Sequence, residues 1–155
     1  MYEALLIARF AINYSNKKEY GISNLKLQKI LYFIQAYFLI TVNKPCFSDS
    51  IEAWDFGPVV PVVYHEFKQF GSGNIPKIDS YFMGNIFDVK VKKFDDSSID
   101  DCDKRNIESV IDEFKDFSAT DLVKLTHSQD PWKNAYVPFA NNVITNESIK
   151  EFFND

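Results

Sequence analysis

The stretch from Leu25 to Val42, LKLQKILYFIQAYFLITV, constrains the fold more than any other part of the chain. Leu27, Ile30, Leu31, Ile34 and Phe38 recur at helical spacing, and Phe33 and Tyr37 widen the stripe around most of the circumference. A helix this apolar is stable only with other elements packed on several sides, so the pattern predicts the centre of a helical bundle. Its first turns are polar (Lys26, Gln28, Lys29), and Ser23 or Asn24 stands where a side chain caps the orphan N–H groups. The uninterrupted apolar run, Ile30 to Val42, has thirteen residues with Gln35 inside it. That falls short of the ~20 needed to cross a bilayer, so the expectation is a buried helix and no membrane partner.

The flanking segments supply what could pack around it. Ala4, Leu5, Ala8, Ala11 and Ile12 predict a helix from about Tyr2 to Tyr14, ending before SNKKEYG. FSDSIEAWDF alternates loosely and reads as a short strand or hairpin, broken by Gly57-Pro58. Pro61 suits the first position of a helix that buries Val62 or Val63, Phe67 and Phe70 and stops at Gly71. GSGNIP reads as a flexible connection. Phe87, Val89 and Val91 alternate with Asp88, Lys90 and Lys92, which predicts an edge strand or extended arm whose lysines discourage further pairing. Ile107, Val110, Ile111 and Phe114 mark an amphipathic helix. Ser118 and Asp121 form a capping box for a short helix, Asp121 to Thr126, and Pro131 opens one or two further turns. Thr145 caps a last helix, Glu147 to Phe153, that buries Ile149, Phe152 and Phe153. The predicted class is mainly α: a single-domain helical bundle over residues 1–155 around a central hydrophobic helix, with a small β-hairpin or edge strands (α+β).

Charge is unevenly spread. Residues 1–40 balance at +3 and residues 95–130 at −7, within a net −5. That pattern argues against a uniformly basic nucleic-acid face and reads as one basic and one acidic solvated surface. Cys46 and Cys102 are far apart, and the N-terminus MYEALLIARFAINY lacks the basic start and cleavage site of a leader, so free thiols in a cytoplasmic setting are expected.

Catalytic material is sparse. His65 and His127 are the two histidines, and neither lies in a nucleophile motif. GSGN lacks the Lys-Ser/Thr of a phosphate loop. Cys46, His65, Cys102 and His127 lack the close pairing of structural zinc ligands, and the aspartates between 95 and 103 lack the glycine and terminal glutamate of a calcium loop. No cofactor or metal is expected. His127 reads either as a helix-end histidine bonded to a carbonyl or to Asp130, or as a polar anchor beside Trp132. Trp54 and Trp132 read as core or as interface. The segment Glu52 to Phe67 packs Gly57, Pro58, Pro61 and several rings into sixteen residues. Such a corner has little entropy left to lose, whether it docks internally or clamps a partner.

Three blocks, LKLQKILYFIQAYFLI, PCFSDSIEAWDFGPVVPVVYHEFKQFG and SATDLVKLTHSQDPWKNA, resemble in order the blocks of the Panacea domain, the SocA-like antitoxin family often labelled phage-associated proteins. Ala53-Trp54, Gly57-Pro58-Val59 and Thr126-His127 through Pro131-Trp132 carry the specificity; Cys46 departs from a common Leu. The resemblance implies a mostly helical, non-catalytic protein. It implies neutralisation of a cognate protein toxin, encoded by an adjacent gene, through direct binding, with ClpXP delivery as an adaptor activity of the SocA type. Trp54, Asp55, Tyr64, His127 and Trp132 are the residues expected to face that partner. Two other readings stay open: a small enzyme using His65 or His127, and a nucleic-acid regulator built on the basic first third.

Overall fold

The computed structural model describes residues 1–154. The chain is mainly helical with two small antiparallel sheets. The central helix is α2 (Asn24–Tyr37), continued by a single π-helical turn, Phe38–Val42, that ends on Asn43 in the left-handed region at φ 62°. Ser23 caps it, accepting from the Lys26 N–H. The 19 residues from Asn24 to Val42 are long and apolar enough to cross a membrane, yet 67 % of an 18-residue apolar window within them is buried inside the fold. Leu27, Ile30, Leu31, Tyr32 and Ile34 are all inaccessible to solvent.

Around α2 pack α1 (Ala4–Lys17), α3 (Pro61–Phe67), α4 (Asp101–Glu113), α5 (Ala119–His127) and α7 (Asn146–Phe153). Helix α1 runs three residues beyond its expected end. Ser15 is buried and Asn16 donates to the Ile12 and Ile75 carbonyls, so the polar run continues the helix instead of leaving it. Pro61 opens α3 as expected; Val63 and Phe67 are buried while Val62 is exposed, and a 3₁₀ turn carries the chain to Gly71. The α5 capping box is present, but the helix starts at Ala119. Thr145 caps α7 by accepting from the Ser148 N–H.

The corner sequence differs from expectation. Strands β1 (Ile51–Trp54) and β2 (Gly57–Val59) form a hairpin, so Gly57-Pro58 does not break the strand but builds its second arm. Proline fits because β2 is an edge of the β2-β1-β5 sheet, where its missing donor costs no ladder bond. Strand β5 is Val143–Ile144. A second ribbon pairs β3 (Ser80–Asn85) with β4 (Asp88–Lys93). The GSGNIP segment is tied down: the Ile75 N–H bonds the Ile22 carbonyl, and the Ile75 side chain is buried.

The expected charge surfaces are partly consumed internally. Arg9 is buried against Glu66 at 2.7 Å, and Lys29 is fully buried, so two of the cations behind the basic first third are not on the surface. In α4, Asp112 accepts from the hydroxyls of Tyr14 and Tyr20, and Asp103 from Tyr2. These phenols tie the acidic helix to α1, and their acidity falls: burial pushes the Tyr2 hydroxyl up to about 12.

Candidate partner-binding site

The five residues singled out from sequence meet on one face, assembled from β1, its turn, α3, α5 and α6 (Asp130–Ala135). His127, at the end of α5, stacks on Trp132 with ring centroids 4.0 Å apart and planes 23° from parallel. Trp132 stacks in turn on Tyr136 at 4.5 Å and 19°. The Tyr136 hydroxyl donates to Asp55 in the β1–β2 turn, a bond that raises the phenol above its ordinary pKa. Trp132 Nε1 donates to the Trp54 carbonyl at 2.8 Å, fastening the ladder to the end of β1. Trp54 meets Tyr64 edge-on at 5.1 Å, and His65 completes that second cluster.

One stacked ladder and one edge-to-face cluster, joined through a backbone carbonyl, make a stiff, half-exposed aromatic surface. Trp54, Tyr64, His127 and Trp132 are half-buried, and Asp55 is exposed. Rings held in this way have little rotamer freedom left to lose on contact. The sequence did not point to Tyr136, which takes its place only because α6 ends beside the β1–β2 turn. Asp130, offered as a partner for His127, is not one: the imidazole lies flat on Trp132, and its Nε2 is buried without a hydrogen bond to any described residue. His65 is exposed beside Trp54 and Tyr64. Neither imidazole bonds a carboxylate among the described residues.

Beneath this surface lies Lys29. Its amine donates to the Pro58 carbonyl at 3.1 Å, and no carboxylate pairs with it among the described residues. Burial lowers its pKa from 10.5 to about 7. Between those values the unfolded chain holds a proton that the folded chain does not, so stability rises with pH across that window. Below pH ~7 both states are charged and the burial penalty is felt in full. The expected result is a gain of ~2–3 kcal/mol in unfolding free energy between pH 7.5 and 9.5, read by urea denaturation. Lys29→Met should flatten that slope. A slope that persists in Lys29→Met assigns the proton to another group.

Half-buried rings held in fixed stacking suit contact with another molecule. Comparisons with known proteins give the family. The family model described as Antitoxin SocA-like, Panacea domain, matches residues 27–133. Antitoxin SocA of Caulobacter vibrioides (strain NA1000 / CB15N) is 35 % identical over 136 residues, covering 84 % of this chain and 68 % of that protein. No solved structure matches. The chain belongs to the SocA-like antitoxin family of Panacea-domain proteins.

Proposed function

We propose that residues 1–155 act as one cytoplasmic antitoxin domain that neutralises a cognate protein toxin by direct binding, without bond-making chemistry of its own. Membership of the SocA-like family carries the reading, and the ladder from His127 to Asp55 supports it. Aromatic side chains fixed in a half-exposed layer are the usual anchors of protein interfaces. The toxin is the product of the adjacent gene, and delivery to ClpXP is a second outlet for the complex.

Co-expression tests this directly. The adjacent gene product should arrest growth alone, and this chain should restore growth and co-purify with it. Trp54→Ala and His127→Ala should each weaken the complex roughly tenfold or more. A neighbour that is harmless and does not co-purify sinks the pairing. Delivery to the protease predicts that the toxin's half-life shortens only when this chain and ClpXP are both present; an unchanged half-life leaves sequestration alone.

A further inference from the structure

The β3–β4 ribbon contributes almost nothing to the core. A two-stranded ribbon in water is marginal by itself, so one that is held in place needs either packing or a tether. Here the tethers lie at its base. The Arg9 guanidinium sits 3.5 Å over the Tyr81 ring, and Asn13 exchanges hydrogen bonds with both backbone groups of Ile78. Beyond Tyr81 the ribbon stands in solvent.

Its pairing register sorts the side chains. Phe82 opposite Val91 and Gly84 opposite Val89 make one face apolar; Tyr81 opposite Lys92 and Met83 opposite Lys90 make the other basic. Ile86 and Phe87 form the tip, where Asn and Gly are the usual occupants. Phe82, Ile86 and Phe87 are 74 %, 85 % and 92 % exposed. The tip is nonetheless held, because the Phe87 N–H donates to the Asn85 side chain at 2.8 Å. Gly84, at φ +93°, lets the Asp88 carbonyl approach to where a Cβ would be 2.1 Å away. Covering Phe82, Ile86, Phe87, Val89 and Val91 would bury roughly 500–700 Å², most of one partner's share of a standard interface. A groove of about 540 Å³ beside Phe82 and Val91 continues onto the body, with Phe67, Phe70 and Ile78 on its wall and Arg9, Glu66, Lys77 and Asp79 supplying charge.

We propose that this ribbon is the arm that grips the protein partner, inserting Phe82, Ile86 and Phe87 into an apolar cleft whose rim carries carboxylates for Lys90, Lys92 and Lys93. The proposal rests on the antitoxin reading and deepens it by stating the chemistry the toxin must offer. The charge pattern selects this occupant over two others. Residues 80–93 carry three lysines and one aspartate, and two copies packed through their apolar faces would leave Lys90 and Lys92 on the outside without carboxylate partners from the other copy, which a toxin with an acidic rim supplies. Docking the arm on the acidic α4 of another copy would give a ring, a filament or a reciprocal dimer, each visible as a larger mass in solution. Asp95, Asp96, Asp100, Asp101 and Asp103 follow β4 directly and repel an anionic lipid surface.

The test uses the full chain and the purified adjacent gene product as probe. Phe82→Asp with Phe87→Asp should lower affinity at least 100-fold and abolish growth rescue. Lys90→Glu, Lys92→Glu and Lys93→Glu together should lower it about tenfold or more and remove its dependence on salt. Both variants should melt with the parent; if the first does not, Ile86→Ser with Phe87→Ser alters the tip alone and should lose at least tenfold. Parent binding with all variants within twofold of it overturns the arm and leaves the antitoxin reading standing. Failure of the parent to bind and rescue overturns both. Two further results overturn the assignment of the occupant: a dimer seen by light scattering and lost in the phenylalanine variant while probe binding is kept, or phenylalanine-dependent sedimentation with vesicles containing phosphatidylserine.

Discussion

Gly57→Ala is expected to destabilise the fold by about 3 kcal/mol or more and to loosen the aromatic face at the same time. Two independent effects add. The backbone at Gly57 sits at φ +106°, a region that a side chain with a Cβ rarely adopts. An added Cβ would also lie 2.7 Å from Lys29 Cε and 2.9 Å from Thr126 Oγ1. Neither neighbour can give way easily. Lys29 is walled in by the core, and Thr126 Oγ1 donates to the Leu122 carbonyl at 2.9 Å. Gly57 is therefore where β2 touches both α2 and α5. Its cross-strand partner is Trp54, whose carbonyl holds the Trp132 indole. Displacing Gly57 should move that carbonyl, so partner affinity should fall along with stability. The check is a urea midpoint together with co-purification; an unchanged midpoint means that the close approach of β2 to Lys29 is wrong.

Gln35→Leu is expected to cost ~3–5 kcal/mol although it replaces a buried polar side chain with an apolar one of similar size. The Gln35 carbonyl oxygen accepts from the N–H groups of Cys46 (2.9 Å) and Phe47 (3.2 Å), and its amide donates to the Phe47 carbonyl at 2.9 Å. Leucine leaves these three backbone groups buried and unpaired, each with a desolvation penalty of ~1–3 kcal/mol. Gln28 does the same at the other end of α2, accepting from the Val60 N–H. The apolar helix therefore stitches the chain on either side of β1 and β2 through its two glutamines. Chemical denaturation measures the loss; a Gln35→Leu protein as stable as the parent shows that the loop finds other partners.

Much of this architecture was legible because local physics decides it. The stripe from Leu27 to Phe38, the Ser23 and Thr145 caps and Pro61 at a helix start depend on residues within one or two turns. The β3 strand was missed because SYFMGN does not alternate and carries Gly84, and it is recognisable only from its pairing with β4. Reading Gly57-Pro58 as a break failed because a proline's meaning in a sheet depends on whether its strand is an edge. Trp54, Asp55, Tyr64, His127 and Trp132 could be singled out as chemically apt, but neither the ladder nor Tyr136's place in it could be read from spacing.

The sequence by itself determined that one helix would be enclosed, because an apolar circumference has no stable place in water. It also determined the family, because three blocks of residues occur in the right order. Only the tertiary structure decided that Lys29 would lie buried under Gly57, that rings from β1, α3, α5 and α6 would share a face, and that the β3–β4 ribbon would stand clear of the body. Those outcomes depend on residues far apart in the chain, and their contact energies exist only once the backbone has closed around α2.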